Sequence, residues 1–423
     1  MAPSYAIRMG AALLLCFQCF ALMAEEGSVD VQLDYELTSF TESADALERN
    51  YQLTNSFALR AEYYTTWADG NQSLTVKPFL RWDEFDSERT HGDIREFMWH
   101  WVADDFELKA GVGKVFWGVT ESRHLVDIVN QTDAVESLDG EEKLGQPMIQ
   151  LLLERDWGNL DLFLLPYHRE RTFQAEDARL GFRQEMADAE YESSEAETNI
   201  DVAARYYTYI DDFEYAVSLF HGTGRDPIVG AELLGPSEFI PFAYYPVISQ
   251  LGLELQYLYE GWAWKLEAIV RDGEPQLVDG SAVAVVRSPQ GLVEGEDHSY
   301  FASVAGFEFT QVGVFDSRWD LGWVAEHLYD SRQDESELNS FEHDVLLGTR
   351  WVANDAGDTT LLVGVVSDYE YKDYSLSLEA STRLWDGLTL ELEGRLFAPA
   401  SDNEAVYGFK NEDYVRTTLS MFF

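Results

Sequence analysis

The chain has 423 residues with 29 Lys and Arg against 77 Asp and Glu, a net charge of −48 and a pI near 4.2. Phosphate would be repelled by such a balance, which excludes nucleic acid as a partner. Yet 46% of the residues are hydrophobic and 14% aromatic, so this is no disordered acidic tail, and apolar and acidic side chains must be segregated in space.

The chain opens with Arg8 and an apolar run from Ala11 to Met23, then the small residue Ala24 before Glu25-Glu26. Residues 1–24 read as a cleaved secretory signal, because the run is too short to span a bilayer and no stop-transfer flank follows. Leu15 and Gln18, which precede the two cysteines, are not the small residues that lipoprotein processing prefers. Cys16 and Cys19 leave with the leader, so the mature chain has no disulfide, thiolate ligand or thiol nucleophile. No later run approaches the roughly 18 apolar residues of a spanning helix.

From Val29 onward the period is two. Val29, Val31, Leu33, Tyr35 and Leu37 alternate with Asp30, Gln32, Asp34 and Glu36. Leu251–Glu260, Trp262–Arg271 and Leu388–Leu396 repeat the pattern, which marks β-strands because successive side chains leave opposite faces of the pleat. The strands run to about 9–13 residues, the length a tilted strand needs to cross a bilayer. Short Gly/Asn/Asp-rich connections at 68–71, 104–105, 157–159, 211–212, 260–261, 312–317, 354–358 and 386–387 are hairpin turns. Long connections fall near 41–50, 86–92, 119–146, 168–198, 222–247, 272–298, 329–341, 368–372 and 398–411. Eight short and nine long connections join 18 strands, and miscounting one hairpin gives 16. The fold class is all-β: a transmembrane, antiparallel, up-and-down barrel, one domain over residues 25–423. Even-numbered closure puts both termini at the short-turn, periplasmic end and the long acidic loops outside. Trp82, Trp99, Trp101, Trp262, Trp319, Trp351 and Trp385 fit aromatic girdles at the membrane interfaces.

The last strand places Val415, Thr417, Leu419, Met421 and the terminal Phe423 on one face. This alternation ending on an aromatic residue resembles the C-terminal signature of Gram-negative outer-membrane barrels. The resemblance implies that the barrel-assembly machinery reads Val415, Leu419, Met421 and Phe423, and that outer-membrane lipid and lipopolysaccharide surround the chain after export through the periplasm. Gly113-Lys-Val-Phe-Trp-Gly118 with Asp127-Ile-Val-Asn130 is similar to porin-like families that carry a Trp-Gly before the third outer loop. In porins that loop folds into the lumen and narrows it. The resemblance therefore makes Glu121, Arg123, Asp127, Asp133 and Glu136 the candidate constriction charges; the alternative is a solvated acidic loop that stays outside.

Strand parity adds inward charges: Arg60, Glu62, Lys77, Arg81, Asp83, Lys109, Arg205, Lys265, Glu267, Glu379, Arg383, Glu391, Glu393, Arg395 and Arg416. Rings of charge lower the barrier for ions of opposite sign. The expected function is passive diffusion of small hydrophilic solutes with a preference for cations. A second reading is a non-conducting barrel that displays acidic loops for binding or adhesion, and a homo-oligomer is compatible with either. No cofactor is expected. The acidic segments 170–197 and 330–337 offer carboxylates to Ca²⁺ or Mg²⁺ but lack any dedicated cation-loop spacing, and solubility in salt explains them more plainly. An enzyme is not expected: no G-x-S-x-G elbow occurs, and in the nearest Ser/His pair, Ser218 with His221, Ser218 falls on the inward face of its strand by parity. No two histidines stand at metal-ligand spacing, and Gly222-Thr-Gly224 lacks the Lys and helix of a phosphate cradle.

Overall fold

A computed structural model describes residues 27–44, 49–181, 184–235, 238–277, 283–332, 342–370, 372–400 and 405–423. The leader expected over residues 1–24 lies outside them. Eighteen strands form one sheet. In chain order they begin with β1 (Ser28–Phe40), β2 (Leu53–Trp67), β3 (Gln72–Asp83), β4 (Gly92–Val102), β5 (Glu107–Gly113), β6 (Gln146–Arg155) and β7 (Gly158–Leu165). Then come β9 (Asp201–Ile210), β10 (Phe213–Thr223), β13 (Val247–Tyr259), β14 (Trp262–Pro275), β17 (Asp297–Gln311) and β18 (Asp320–Asp330). The set ends with β19 (His343–Val352), β20 (Thr360–Asp368), β21 (Tyr374–Trp385), β22 (Leu388–Ala398) and β23 (Tyr414–Phe422). Each pairs antiparallel with its neighbours, and β1 pairs with β23 from Gln32↔Phe422 to Phe40↔Tyr414, so the sheet closes on itself. Closure leaves no unpaired edge, the condition for a sheet to sit in hydrocarbon, where an unsatisfied N–H or C=O costs several kcal/mol.

Register fixes which face each side chain takes. Val415, Leu419 and Met421 share the outward face with Leu37, Tyr35 and Leu33, and Phe423 exchanges backbone hydrogen bonds with Val31. Outward aromatics gather at the short-turn end, where Trp262 stacks on Phe309 (4.5 Å) and on Trp264 (5.6 Å). The two-residue turn at Glu260–Gly261 has φ of 46° and 84°, the left-handed pair of a type I′ hairpin. Strands run from 7 residues (β5) to 15 (β2 and β17), a wider spread than the sequence suggests.

The long connections are L1 (41–52), L2 (84–91), L3 (114–145), L4 (166–200), L5 (224–246), L6 (276–296), L7 (331–342), L8 (369–373) and L9 (399–413). Three of them are not plain loops. L4 supplies β8 (Ala187–Tyr191), L5 supplies β11 (Ile228–Gly235) and β12 (Glu238–Tyr245), and L6 supplies β15 (Val285–Ser288) and β16 (Gly291–Glu294). These pair into a separate five-stranded sheet, β16-β15-β11-β12-β8, around Phe242, Tyr244, Ala284 and Val285. β11 and β12 of L5 pair with each other, β15 of L6 and β8 of L4 cover their two outer edges, and β16 at the rim stays exposed.

The main core lies inside the barrel. Inward residues Met98, Met148, Phe163, Phe220, Ile248, Ile269, Val304 and Leu328 pack with Trp117, Leu125, Val126, Ile128 and Val129 of L3. An 18-stranded wall is too wide for its own side chains to fill, so a chain segment supplies the rest of this core.

Candidate functional site

L3 lies against the inner wall, and its backbone is held there by two wall glutamates. Glu267 of β14 is fully buried, and its Oε1 accepts from the N–H of Val119 (2.7 Å), the N–H of Thr120 (3.0 Å) and the Thr120 hydroxyl (2.7 Å). Glu326 of β18 accepts from the N–H groups of Glu121 and Ser122, both at 2.8 Å, and from the Ser122 hydroxyl (2.5 Å). The position just before these anchors requires glycine: Gly118 has φ +135°, and a Cβ there would lie 2.9 Å from Glu267 Oε1. Gly252 on β13 leaves room for Val126, since a Cβ there would lie 3.0 Å from Val126 Cγ1.

The L3 acids are gripped by cations from wall strands far apart on the ring. Glu121 meets Lys265 of β14 (3.1 Å) and Arg350 of β19 (2.9 Å). Lys265 also pairs with Glu308. Asp133 meets Arg95 of β4 (2.5 Å), Glu136 meets Arg81 of β3 (2.8 Å), and Asp139 meets Arg395 of β22 (2.9 Å). Asp127 stays within the loop, 3.3 Å from Lys143. Asp127, Asp133 and Glu136 are buried. Burial opposes ionisation of Glu136 and Glu121, but Arg81 for the first and Lys265 for the second hold them below the ordinary carboxylate range. Burial pushes Asp127 and Asp133 up against the opposing pull of Lys143 and Arg95. For His124 burial disfavours the cation, yet the carboxylates of Glu141 and Glu267 outweigh it and raise the imidazole to about 10. Arg123 lines a small cavity with His124, Asp226 and Arg271, and its backbone carbonyl accepts from Thr120 Oγ1 (2.9 Å).

The wall charges sort by place. Glu62, Lys77 and Glu96 form one chain of ion pairs at 3.2–3.3 Å. Arg60 leans over the ring of Phe79 and lies 3.6 Å from Asp34. Arg81 and Asp83 belong to a buried knot in which Arg89 grips Glu36 (2.6 Å) and Asp83 (2.9 Å). Arg205 holds Glu254 through two bonds of 2.8 and 2.9 Å, and Lys109 sits across from His100 and Gln150. Arg395 reaches Glu379 and Glu393 as well as Asp139, whereas Arg383 pairs with Asp358 at the short-turn rim, away from L3.

Sequence reasoning missed Glu36, Arg89, Arg95, Asp139, Glu326 and Arg350. Parity alone places Glu36, Glu326 and Arg350 inward. Arg95 breaks parity because the β3–β4 register shifts between Lys77 and Pro78; the extra residue turns Arg95 inward beside Glu96, over the ring of Phe79 (4.4 Å). Ser218 and His221 do not meet: Ser218 faces the lumen beside Gly252, and the outward His221 hydrogen-bonds Ser249 (3.0 Å). Among the described residues no group of three or more His, Cys, Asp or Glu is arranged to hold a metal ion.

Most partners of L3 lie on the arc from β2 through β19, and Asp139 also reaches Arg395 of β22. On β20 to β23 the inward positions include Gly364, Ser375, Ser377, Ser381, Thr418 and Ser420, the acids Glu379, Glu391 and Glu393, the bases Arg383, Arg395 and Arg416, and the larger Leu362, Val366, Phe397 and Tyr414.

No family model matches the chain, and no curated protein matches it. Solved structures do. OccK8 (OprE) of Pseudomonas aeruginosa is 11% identical with a TM-score of 0.48, over 94% of this chain and 98% of that one. OpdQ of the same organism is 12% identical with a TM-score of 0.44, over 94% and 97%. A mutant of the Rh. blastica porin is 12% identical with a TM-score of 0.42, over 94% and 100%.

Proposed function

We propose that this barrel is an outer-membrane channel for passive diffusion of small hydrophilic solutes, narrowed by L3 and preferring cations. The observation that carries the reading is the division of the interior. One arc is packed with apolar side chains of L3 and wall, while the arc from β20 to β23 is lined mainly by small, polar and charged side chains. The outward apolar face supports a lipid surround that includes lipopolysaccharide, reached by export through the periplasm. Val415, Leu419, Met421 and Phe423 are then the strand read by the assembly machinery.

The preference for cations follows from charge balance. With 77 acids to 29 bases, at least 48 carboxylates have no basic partner of their own. On the polar arc Glu379, Glu391 and Glu393 face inward with Arg395 and Arg416, which pair with Glu379 and Glu393 and leave Glu391 as the uncompensated carboxylate of the three. A carboxylate about 10 Å from a passing ion contributes ~0.4 kcal/mol in water. Screening at 0.1 M salt lowers that to roughly 0.15 kcal/mol. Such a group acts with opposite sign on cation and anion, so one uncompensated carboxylate gives a cation-to-anion permeability ratio of roughly 2 to 4 between the screened and unscreened limits. Reversal potentials across a KCl gradient in planar bilayers test both parts. Stable steps with a cation-selective potential are expected; absence of steps defeats the channel, and an anion-selective potential defeats the charge argument alone.

The five-stranded sheet built by L4, L5 and L6 favours a second reading, a closed barrel that displays this sheet for binding or adhesion. That reading predicts the same membrane insertion with no conductance. Ca²⁺ or Mg²⁺ at the acidic loops would serve either reading by bridging carboxylates to anionic lipid.

A further inference from the structure

L4 does not stay above the strands it connects. It leaves β7, the seventh strand of the ring, and runs back over strands laid down earlier. Arg169 donates to Gly145 O of L3 (2.9 Å) and pairs with Asp93 of β4 (3.0 Å). Gln174 donates to Ala134 O of L3 (2.5 Å), and the N–H of Ala175 donates to Asp86 of L2 (3.1 Å). The segment ends at Arg179, whose guanidinium lies between L1 and L9, the loops that flank the β1–β23 seam.

All five guanidinium N–H donors have partners there. Nε donates to Glu412 Oε2 (2.5 Å), Nη1 to the carbonyls of Glu42 (3.1 Å) and Tyr51 (2.9 Å), and Nη2 to those of Glu42 (3.1 Å) and Asn411 (2.7 Å). The cation also lies over the ring of Phe40 (4.3 Å) and is 3% exposed. A buried arginine with this many fixed acceptors is a specific lock, because its five-donor fork meets three backbone carbonyls and one carboxylate at once. Beneath it, some 490 Å³ of space, partly continuous with solvent, lies between the strap, the tip of L3 and the wall, with Phe40, Tyr51, Arg89, Glu136 and Arg416 among its lining.

We propose that residues 169–181 form a strap that roofs this side of the mouth, and that Arg179 is the latch that sets the upper size of solute admitted. The inference rests on the channel reading above. With the latch closed, solutes enter only over the polar arc. With it released, the roof over the space beside L3 is lost, and a second route opens along β1 and β3. Arg179 acts at the entrance only and touches neither L3's anchoring glutamates nor the inward carboxylates of β21 and β22.

The test compares the full-length mature protein with Arg179→Gln, reconstituted in liposomes and in planar bilayers. Swelling rates are read for a graded series from a pentose to a tetrasaccharide, with circular dichroism verifying the barrel. For Arg179→Gln we expect at least a twofold rise in the tetrasaccharide-to-pentose ratio and a higher unit conductance, with ion selectivity unchanged. Should that variant not assemble, Glu412→Gln removes the charge from one of the five bonds and is expected to shift the ratio in the same direction by a smaller amount. A conducting wild type whose assembled variants keep the wild-type size limit overturns the latch and leaves the channel standing. Silence from wild type and variants alike overturns the channel and the latch with it.

Discussion

Replacing Glu267 by Gln isolates what holds L3 to the wall. The carboxylate receives three hydrogen bonds from Val119 and Thr120, all within 3.0 Å, and faces His124 at 3.7 Å. Hydrogen bonds to a charged acceptor contribute about 1.5–3 kcal/mol each and neutral ones about 0.5–1.5. A glutamine that keeps its carbonyl toward the loop therefore forfeits about 1 kcal/mol per bond, or ~3 kcal/mol for the three. At 1.36 kcal/mol per tenfold, the ratio of docked to undocked L3 falls by a factor on the order of 100. The interstrand ladder is untouched, so the barrel itself should unfold within a few degrees of wild type. Single-channel recording reads the difference: excess open-state noise and a higher mean conductance are expected in Glu267→Gln. An intact barrel whose trace matches wild type in both quantities would show that Glu267 does not fasten the loop.

The imidazole of His124 adds a pH dependence to the same contact. Its folded value, about 10, stands above the ordinary 6.5, so its stabilisation is complete below pH 6.5 and is lost as pH rises through about 10. Channel noise should therefore increase between pH 8 and 10.5 in wild type, and His124→Gln should be noisy throughout and insensitive to this range. Gly252→Val tests the packing side of the dock. The added carbons meet Ser218 Oγ and Val126 at 2.4 and 3.0 Å, and overpacking of this kind costs about 1–3 kcal/mol. The loop rather than the wall should yield, giving raised conductance with an unchanged strand content by circular dichroism; a wild-type conductance would place the strain elsewhere.

Period-two alternation determined the strands, their faces and the closed antiparallel class, because whether a side chain meets lipid or lumen depends only on its parity within a paired strand. Gly, Asn and Asp at the hairpins determined which ends turn tightly, and that gave the strand count of 18. Parity failed at Arg95, where one inserted residue reverses the face and the only mark of the bulge, Pro78, lies on the partner strand. Only the tertiary structure decided what the long loops do. Thr120 is held by a glutamate 147 residues later, Arg179 by one 233 residues later, and the five-stranded sheet draws on three separate loops. Such contacts are selected by the shape and charge of a lumen that exists only once the barrel has closed. An acidic loop that pairs with buried arginines has the same composition as one that extends into water, so its destination is set by the partners the fold brings to it.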